Sequence, residues 1–363
     1  MLHRDICPSY VNSLYLSLAE DYRSCDSPGA YCTVTCQDKA DKVGWNIRTL
    51  DWCAIQEDPG ACKPIPPKIA FEKFYLQEWR EPTRPVQPCH IMTAQQVDKL
   101  KQQLKPITVG VLTRGRELPV LRNSMDTWVE GGFIEAVSEF IIMVNENTAE
   151  MTQYLAKYQQ APYNIKVMVN PTNLGISKAL NWLMGNATSD YFLFMEKDFR
   201  QVEPEACVVQ QLSVGVDLLE SETADMVKFR SRYNAGKPNY AEIIYKTRED
   251  AVFRIQPNLL CNFYHWIDEP HQRWPNHFEI CHSHPLFYCV KSQFCNWTNN
   301  PILIKTQWWF SNFVEAFDAL VDPEPSFNLE GFMNGVGEAW NDRGYIVAEG
   351  EGMFKHCDVN NMG

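Results

Sequence analysis

The chain has 363 residues, 45% of them hydrophobic and 12% aromatic, enough for a packed core in one large domain or two ordinary ones. It carries 33 Lys and Arg against 45 Asp and Glu, a net charge of -12 with a pI near 5.2. That balance opposes a broad phosphate-backbone contact and excludes nucleic acid as the expected partner. No window approaches the ~18 uninterrupted apolar residues of a membrane span, so none is expected.

Seven of the 13 cysteines (Cys7, Cys25, Cys32, Cys36, Cys53, Cys62 and Cys89) lie among Pro, Gly and polar residues near the N-terminus. No CxxC occurs to favour zinc, so the density points to disulfides and an oxidising compartment, the lumen of the secretory pathway (Golgi or ER) or the exterior. The opening stretch holds no apolar targeting core, so if the protein is lumenal its targeting segment is expected to be absent from this chain. An odd cysteine count leaves at least one thiol, expected at Cys207 or Cys357 because both sit alone in the chain. Two N-glycosylation sequons, Asn186-Ala-Thr and Asn296-Trp-Thr, are no more than chance supplies.

In chain order, residues 1–88 read as a loop-rich, stapled accessory region with one helical patch at Tyr10 to Tyr22. Thr93 to Lys105 reads as a helix with Thr93 and Gln96 as a capping box and Pro106 as the stop. A domain boundary is placed here, giving an accessory or stem region 1–104 and a second domain 105–363. From Ile107 the texture becomes strand, helix, strand, helix. Strands are expected at Ile107 to Leu112, Glu139 to Val144, Ile165 to Val169 and Tyr191 to Met195, with helices at Leu118 to Val129, Ala149 to Gln160 and Ile176 to Met184. Apolar strands alternating with amphipathic helices predict an α/β fold, a parallel sheet covered on both faces, with ligands at the carboxyl ends of the strands.

The loops after those strands are polar or glycine-bearing: Thr113-Arg-Gly-Arg, Asn145-Glu-Asn-Thr, Asn170-Pro-Thr-Asn-Leu-Gly-Ile-Ser-Lys and Glu196-Lys-Asp-Phe. There is neither GxGxxG nor a phosphate loop. Glu196 and Asp198, one residue apart at a strand end, place two carboxylates on one side of an extended chain. Such a pair suits a hard divalent cation able to bridge a diphosphate.

In these loops the sequence resembles the GT-A glycosyltransferases of the broad family 2 type. The matching pieces are Thr113 and Arg114, Asn145 and Glu146, Asn173-Leu-Gly175 through Lys178 to Asn181, and Glu196-Lys-Asp198 in the place of the family's DxD motif, where Glu196 departs from the usual Asp. The resemblance continues loosely to Asp358, through Asn299 to Lys305 as the segment beneath the donor sugar, Glu330 before the stretch that ends at Gly344-Tyr345, and the late His356. It implies a GT-A fold, with 105–200 as the nucleotide-sugar half and 201–363 as the acceptor half. It also implies a nucleotide-sugar donor, UDP- or GDP-linked, and a Mn2+ or Mg2+ ion held by Asp198 and His356, with Glu196 on the metal or the donor ribose. Thr113, Arg114, Glu146, Asn173, Gly175, Lys178 and Asn300 are the implied donor contacts, and the acceptor is a glycan or glycoprotein hydroxyl. Inverting transfer then needs a base, Glu330, with Glu338 in reserve.

Twelve aromatic side chains crowd the stretch from Phe263 to Phe310; most are expected in the core, and Trp308 and Trp309 are the candidates to stack on an acceptor. Cys281-His-Ser-His284 looks like a metal cluster, but a disulfide at Cys281 is the expectation. Two competing functions remain at this stage, a sugar-phosphate nucleotidyltransferase and a secreted carbohydrate-binding protein without turnover.

Overall fold

The computed structural model describes residues 88–233, 258, 260–261, 269–314, 333 and 340–357, together with the backbone of four short strands nearer the N-terminus. The chain divides into two compact units, Met1–Glu81 with Lys237–Ile267, and Pro82–Gly236 with Asp268–Gly363. In the first, β1 (Cys32–Thr35), β2 (Lys42–Asn46), β3 (Asp51–Ala54) and β4 (Pro64–Ile65) form an antiparallel sheet in that order. Cys7, Cys25, Cys36 and Cys62 lie outside the described residues, as do the side chains of Cys32 and Cys53.

The second unit begins with α1 (Ala94–Gln103), whose start carries the expected capping box: Gln96 N donates to Thr93 Oγ1 and Thr93 N donates to Gln96 Oε1. Leu104 is extended ahead of Pro106, which ends the helix. Then come β5 (Ile107–Arg114), α2 (Leu118–Glu130), β6 (Glu139–Asn145), α3 (Ala149–Ala156), β7 (Lys166–Asn170), α4 (Ile176–Gly185) and β8 (Tyr191–Glu196). Each matches its expected element to within a few residues at the ends.

β8, β5, β6 and β7 lie side by side and parallel. Ile107, Val109 and Val111 on β5 are fully buried, and α2 lays Leu121, Met125 and Trp128 against the same core at helical spacing. Each such side chain contributes about 1.5–3 kcal/mol.

The chain continues through β9 (Phe199–Gln201), α5 (Glu205–Glu220), β10 (Met226–Arg230), β11 (Glu279–Ser283), β12 (Leu286–Lys291), β13 (Ile302–Lys305), α6 (Thr306–Asn312) and β14 (Ile346–His356). The sheet has ten strands in the order β11-β12-β14-β10-β13-β8-β5-β6-β7, with β9 paired to β14. Within that order β13 runs antiparallel to both β8 and β10, and β12 antiparallel to β14, while β10 and β14 are parallel. The fold is thus mixed α/β, with the carboxyl ends of β5, β6, β7, β8, β10 and β14 at one edge.

Cys207 corrects an expectation: on α5 it is disulfide-bonded to Cys89, closing a 118-residue separation and tying the segment before α1 to that helix. Cys281 pairs with Cys289 across the β11–β12 hairpin, as expected in place of a metal cluster. Cys357 is outside any disulfide. Among the described residues no helix is long and apolar enough to cross a membrane.

Candidate functional site

At the carboxyl edge of the parallel strands lies a cavity of about 210 Å³, lined by Leu112, Thr113, Arg114, Glu117, Asn145, Asn173, Gly175, Ile176, Glu196 and Lys197. Its walls are the loops after β5, β6, β7 and β8, and Asn145 ties two of them together. From the end of β6, where it is 2% exposed, Asn145 accepts from Leu174 N at 2.9 Å through Oδ1 and donates through Nδ2 to Asn173 Oδ1 at 2.7 Å. Asn173 Oδ1 in turn accepts from Gly175 N at 3.0 Å.

Gly175 has φ 76° and ψ 171°, a conformation essentially closed to side chains. That lets the chain turn directly into α4 and leaves the helix N-terminus facing the cavity, where its dipole favours an anion. Gly115 is a second required glycine beside this cavity, since a Cβ there would meet Glu146 O and Thr148 N at 2.6 Å.

The charged part of the site follows β8. Asp198 is 6% exposed and its backbone oxygen accepts from Cys357 N at 2.8 Å, which locks the turn to the end of β14. His356 pairs opposite Phe199 in the β14–β9 ladder, and its Nε2 comes 3.4 Å from Asp198 Oδ2. Lys197 Nζ lies 3.5 Å from Asp198 Oδ2 and 3.5 Å from Glu117 Oε1, while Glu117 Oε2 accepts from Arg114 N at 2.9 Å.

Burial raises the cost of charge on Asp198, but the His356 hydrogen bond and the Lys197 ammonium outweigh it and hold the carboxyl below its usual range. Burial likewise opposes charge on Lys197, and Glu196, Asp198 and Glu117 outweigh it, raising the ammonium above its ordinary value. Asp198 Oδ1 is buried and accepts no hydrogen bond. A buried carboxylate with one oxygen left without a donor, and an imidazole nitrogen against its other oxygen, offers a donor set that suits a divalent cation, so Asp198 and His356 fit the implied metal.

Thr113, Arg114, Asn173, Gly175 and Glu196 therefore line one cavity, and Asp198 and His356 meet at its side. Asn300 stands two residues before Ile302, which pairs with Phe194, so it comes level with Glu196 at the same edge. Glu146 and Lys178 are exposed and do not line the cavity. Glu146 sits at φ 60° and offers its backbone oxygen to Gly115 N, so Asn145 is the wall residue in its place.

Glu330 and Glu338 lie outside the described residues. Trp308 and Trp309 are a correction: β13 runs antiparallel to β8, with Lys305 opposite Tyr191, and so carries them to the far edge of the sheet. There Trp309 is fully buried, donates from Nε1 to Asn181 Oδ1 and packs on Trp297 and Phe313, which leaves no face for a sugar. Trp308 packs on Tyr345 and Phe313.

Two wall residues escaped the sequence reading. Glu117 at a helix start reads as a dipole-favoured carboxylate, and Lys197 between two acids reads as a solvated charge.

Residues 108–241, which run from the second residue of β5 past the end of β10, match the family model Glycosyl transferase family 2. That stretch of the chain is similar to the family 2 glycosyltransferases. The cavity walls and the Glu196-Lys-Asp198 turn lie within the family 2 match, and His356 lies beyond it. Among solved structures, the chain is 20% identical to TarS 1-349 of S. aureus, over 37% of this chain and 38% of that one, with a TM-score of 0.29. TarS 1-349 in complex with UDP-GlcNAc gives 20% identity over 37% of each chain, at 0.29. The mannosyltransferase PcManGT from Pyrobaculum calidifontis, in complex with GDP-Man and Mn2+, is 13% identical over 38% of this chain and 41% of that one, at 0.30. Likenesses this partial carry no weight for the activity. No curated protein matches the chain.

Proposed function

We propose that the family 2 domain is a metal-dependent, inverting glycosyltransferase that moves a sugar from a nucleotide donor, UDP- or GDP-linked, to a hydroxyl of a glycan or glycoprotein in the secretory lumen. The observation that carries the reading is the unpartnered buried oxygen of Asp198 beside His356 Nε2, set against a cavity walled by the loops of four parallel strands.

In the reaction, the wall formed by Thr113, Arg114, Asn145 and Asn173 receives the nucleoside, with the N-terminus of α4 facing its phosphates. Asp198 and His356 would hold the metal, with Glu196 at its side or on the donor ribose; the ion supplies neutralisation of charge on the leaving diphosphate. Arg114 and Lys197 add fixed positive charge to the same wall, which favours departure of the nucleoside diphosphate. Glu330 takes the proton from the acceptor hydroxyl as it attacks on the face opposite the leaving group. The disulfides Cys89–Cys207 and Cys281–Cys289 support the lumenal placement, since such bonds persist in oxidising compartments.

A direct test incubates the full chain with UDP-GlcNAc and with GDP-mannose, each with and without Mn2+, and follows release of nucleoside diphosphate in the presence of a glycan panel. Metal-dependent release with one donor supports the reading; silence with every nucleotide sugar would end it. Glu330→Gln separates the steps: transfer should fall about 10²- to 10⁴-fold while donor affinity hardly changes. Unchanged transfer would move the base to another carboxylate, Glu338 first.

A further inference from the structure

We propose that Lys197 is a built-in competitor of the divalent cation. Its ammonium occupies the charge position beside Asp198 until a nucleoside diphosphate arrives, so the metal binds tightly only together with the diphosphate. The second half of this statement rests on the proposed function; the first half rests on Lys197 alone.

Lys197 Nζ is 3.5 Å from Asp198 Oδ2, the same carboxylate oxygen that His356 Nε2 approaches. Its side chain is 16% exposed, so solvent screens it little. Glu117 holds it from the other side at 3.5 Å and is itself fixed by the bond from Arg114 N to Glu117 Oε2. The ammonium is therefore placed rather than wandering, at the wall of the cavity.

A second, doubly charged cation entering between Asp198 and His356 meets this fixed charge at close range, in surroundings where repulsion is far stronger than in water. The metal alone must either displace the ammonium from Asp198 or bear that repulsion. A diphosphate changes the balance. Its oxygens give the lysine a new anion, reached by turning a flexible four-carbon stem while Glu117 keeps its hold, and they give the metal further ligands. Each charge then stands across from the phosphates, and the mutual penalty falls. Coupling between two ligands is reciprocal, so the metal strengthens diphosphate binding by the factor by which the diphosphate strengthens metal binding.

The experiment titrates Mn2+ into the full chain and reads free Mn2+ by electron paramagnetic resonance, without nucleotide and with UDP or GDP in separate arms. Wild type is compared with Lys197→Met, Lys197→Arg and Glu117→Gln, each checked for an unaltered melting curve. Without nucleotide, Lys197→Met should bind Mn2+ at least about tenfold more tightly than wild type, within the usual range of such couplings, while Lys197→Arg should stay weak. Glu117→Gln, which removes the counter-pull on the far side and leaves the ammonium to Asp198 and Glu196, should weaken Mn2+ further; this variant decides the matter if Lys197→Met fails to fold. With the matching nucleoside diphosphate, wild-type affinity for Mn2+ should rise about 5- to 150-fold, and the rise should shrink in Lys197→Met. Mn2+ affinity that is unchanged or weaker in Lys197→Met, or absent from both proteins, overturns the proposal. If neither UDP nor GDP binds any variant, the glycosyltransferase reading fails instead, and the nucleotide-free arm still judges Lys197.

Discussion

Two lysines of the same unit, the partly buried Lys197 and the buried Lys228, sit in charge clusters of similar composition and opposite character. Lys228, 3% exposed in mid-strand on β10, lies directly across from Glu349 on β14, 3.2 Å away. It also donates to Asn296 O at 3.0 Å, and the Cys295 thiol donates to Glu349 Oε1 at 3.3 Å. Lys197 lies past the end of β8, on a cavity wall, next to a carboxylate whose second oxygen accepts nothing. The first cluster is closed and braces two parallel strands. The second is open toward a ligand. A buried charge by itself therefore does not mark a site; a buried charge left unsatisfied at the carboxyl edge of the sheet does.

The widest separation between the clusters should appear in turnover. Asp198→Asn keeps the shape and removes the charge that would anchor the metal, so transfer should fall by about 10³-fold or more while the chain stays folded. Near-normal transfer would leave the open cluster without a role.

Next in size is stability. Lys228→Met leaves Glu349 buried without its cation and should destabilise the fold by about 3–5 kcal/mol in denaturant titration. Lys228→Met combined with Glu349→Leu should recover most of that loss, because a closed pair exchanged for apolar residues is close to neutral. No recovery in the double variant would mean that the closed cluster does more than brace the strands.

The smallest effect is acid sensitivity. The carboxyl of Asp198 lies below its ordinary value of 3.8 in the folded chain, so its charge contributes stability at pH values above 3.8 and that contribution is lost as pH falls below it. Wild type should then show a steeper loss of stability below that pH than Asp198→Asn. Equal slopes would say that His356 and Lys197 do not hold the charge in solution.

The first half of the second unit was legible because its strands are continuous apolar runs and its helices carry caps and stops; Thr93 with Gln96 and the Ile107 stretch each state their own structure. The loops after those strands were legible for the same reason, since the edge at which a parallel strand ends follows from its direction. Direction is what failed for Trp308 and Trp309. Ile302-Leu-Ile-Lys reads as a strand either way, and its reversal beside β8 sends everything after it to the far edge. The Cys89–Cys207 bond spans 118 residues, and no local spacing announces it. The link from Lys197 to Glu117 likewise joins two distant segments, each of which reads as an ordinary surface charge.

On the proposed function, the carboxyl-edge cavity binds a nucleoside diphosphate through a cation held at Asp198. Isothermal titration of UDP and of GDP into wild type and Asp198→Asn, with and without Mn2+, measures it most directly. Saturable binding of one nucleotide that strengthens with Mn2+ in wild type, and loses that metal dependence in an Asp198→Asn protein that still folds, is the expected result. Binding equally strong with and without the metal in both proteins, or no binding in either, would contradict it.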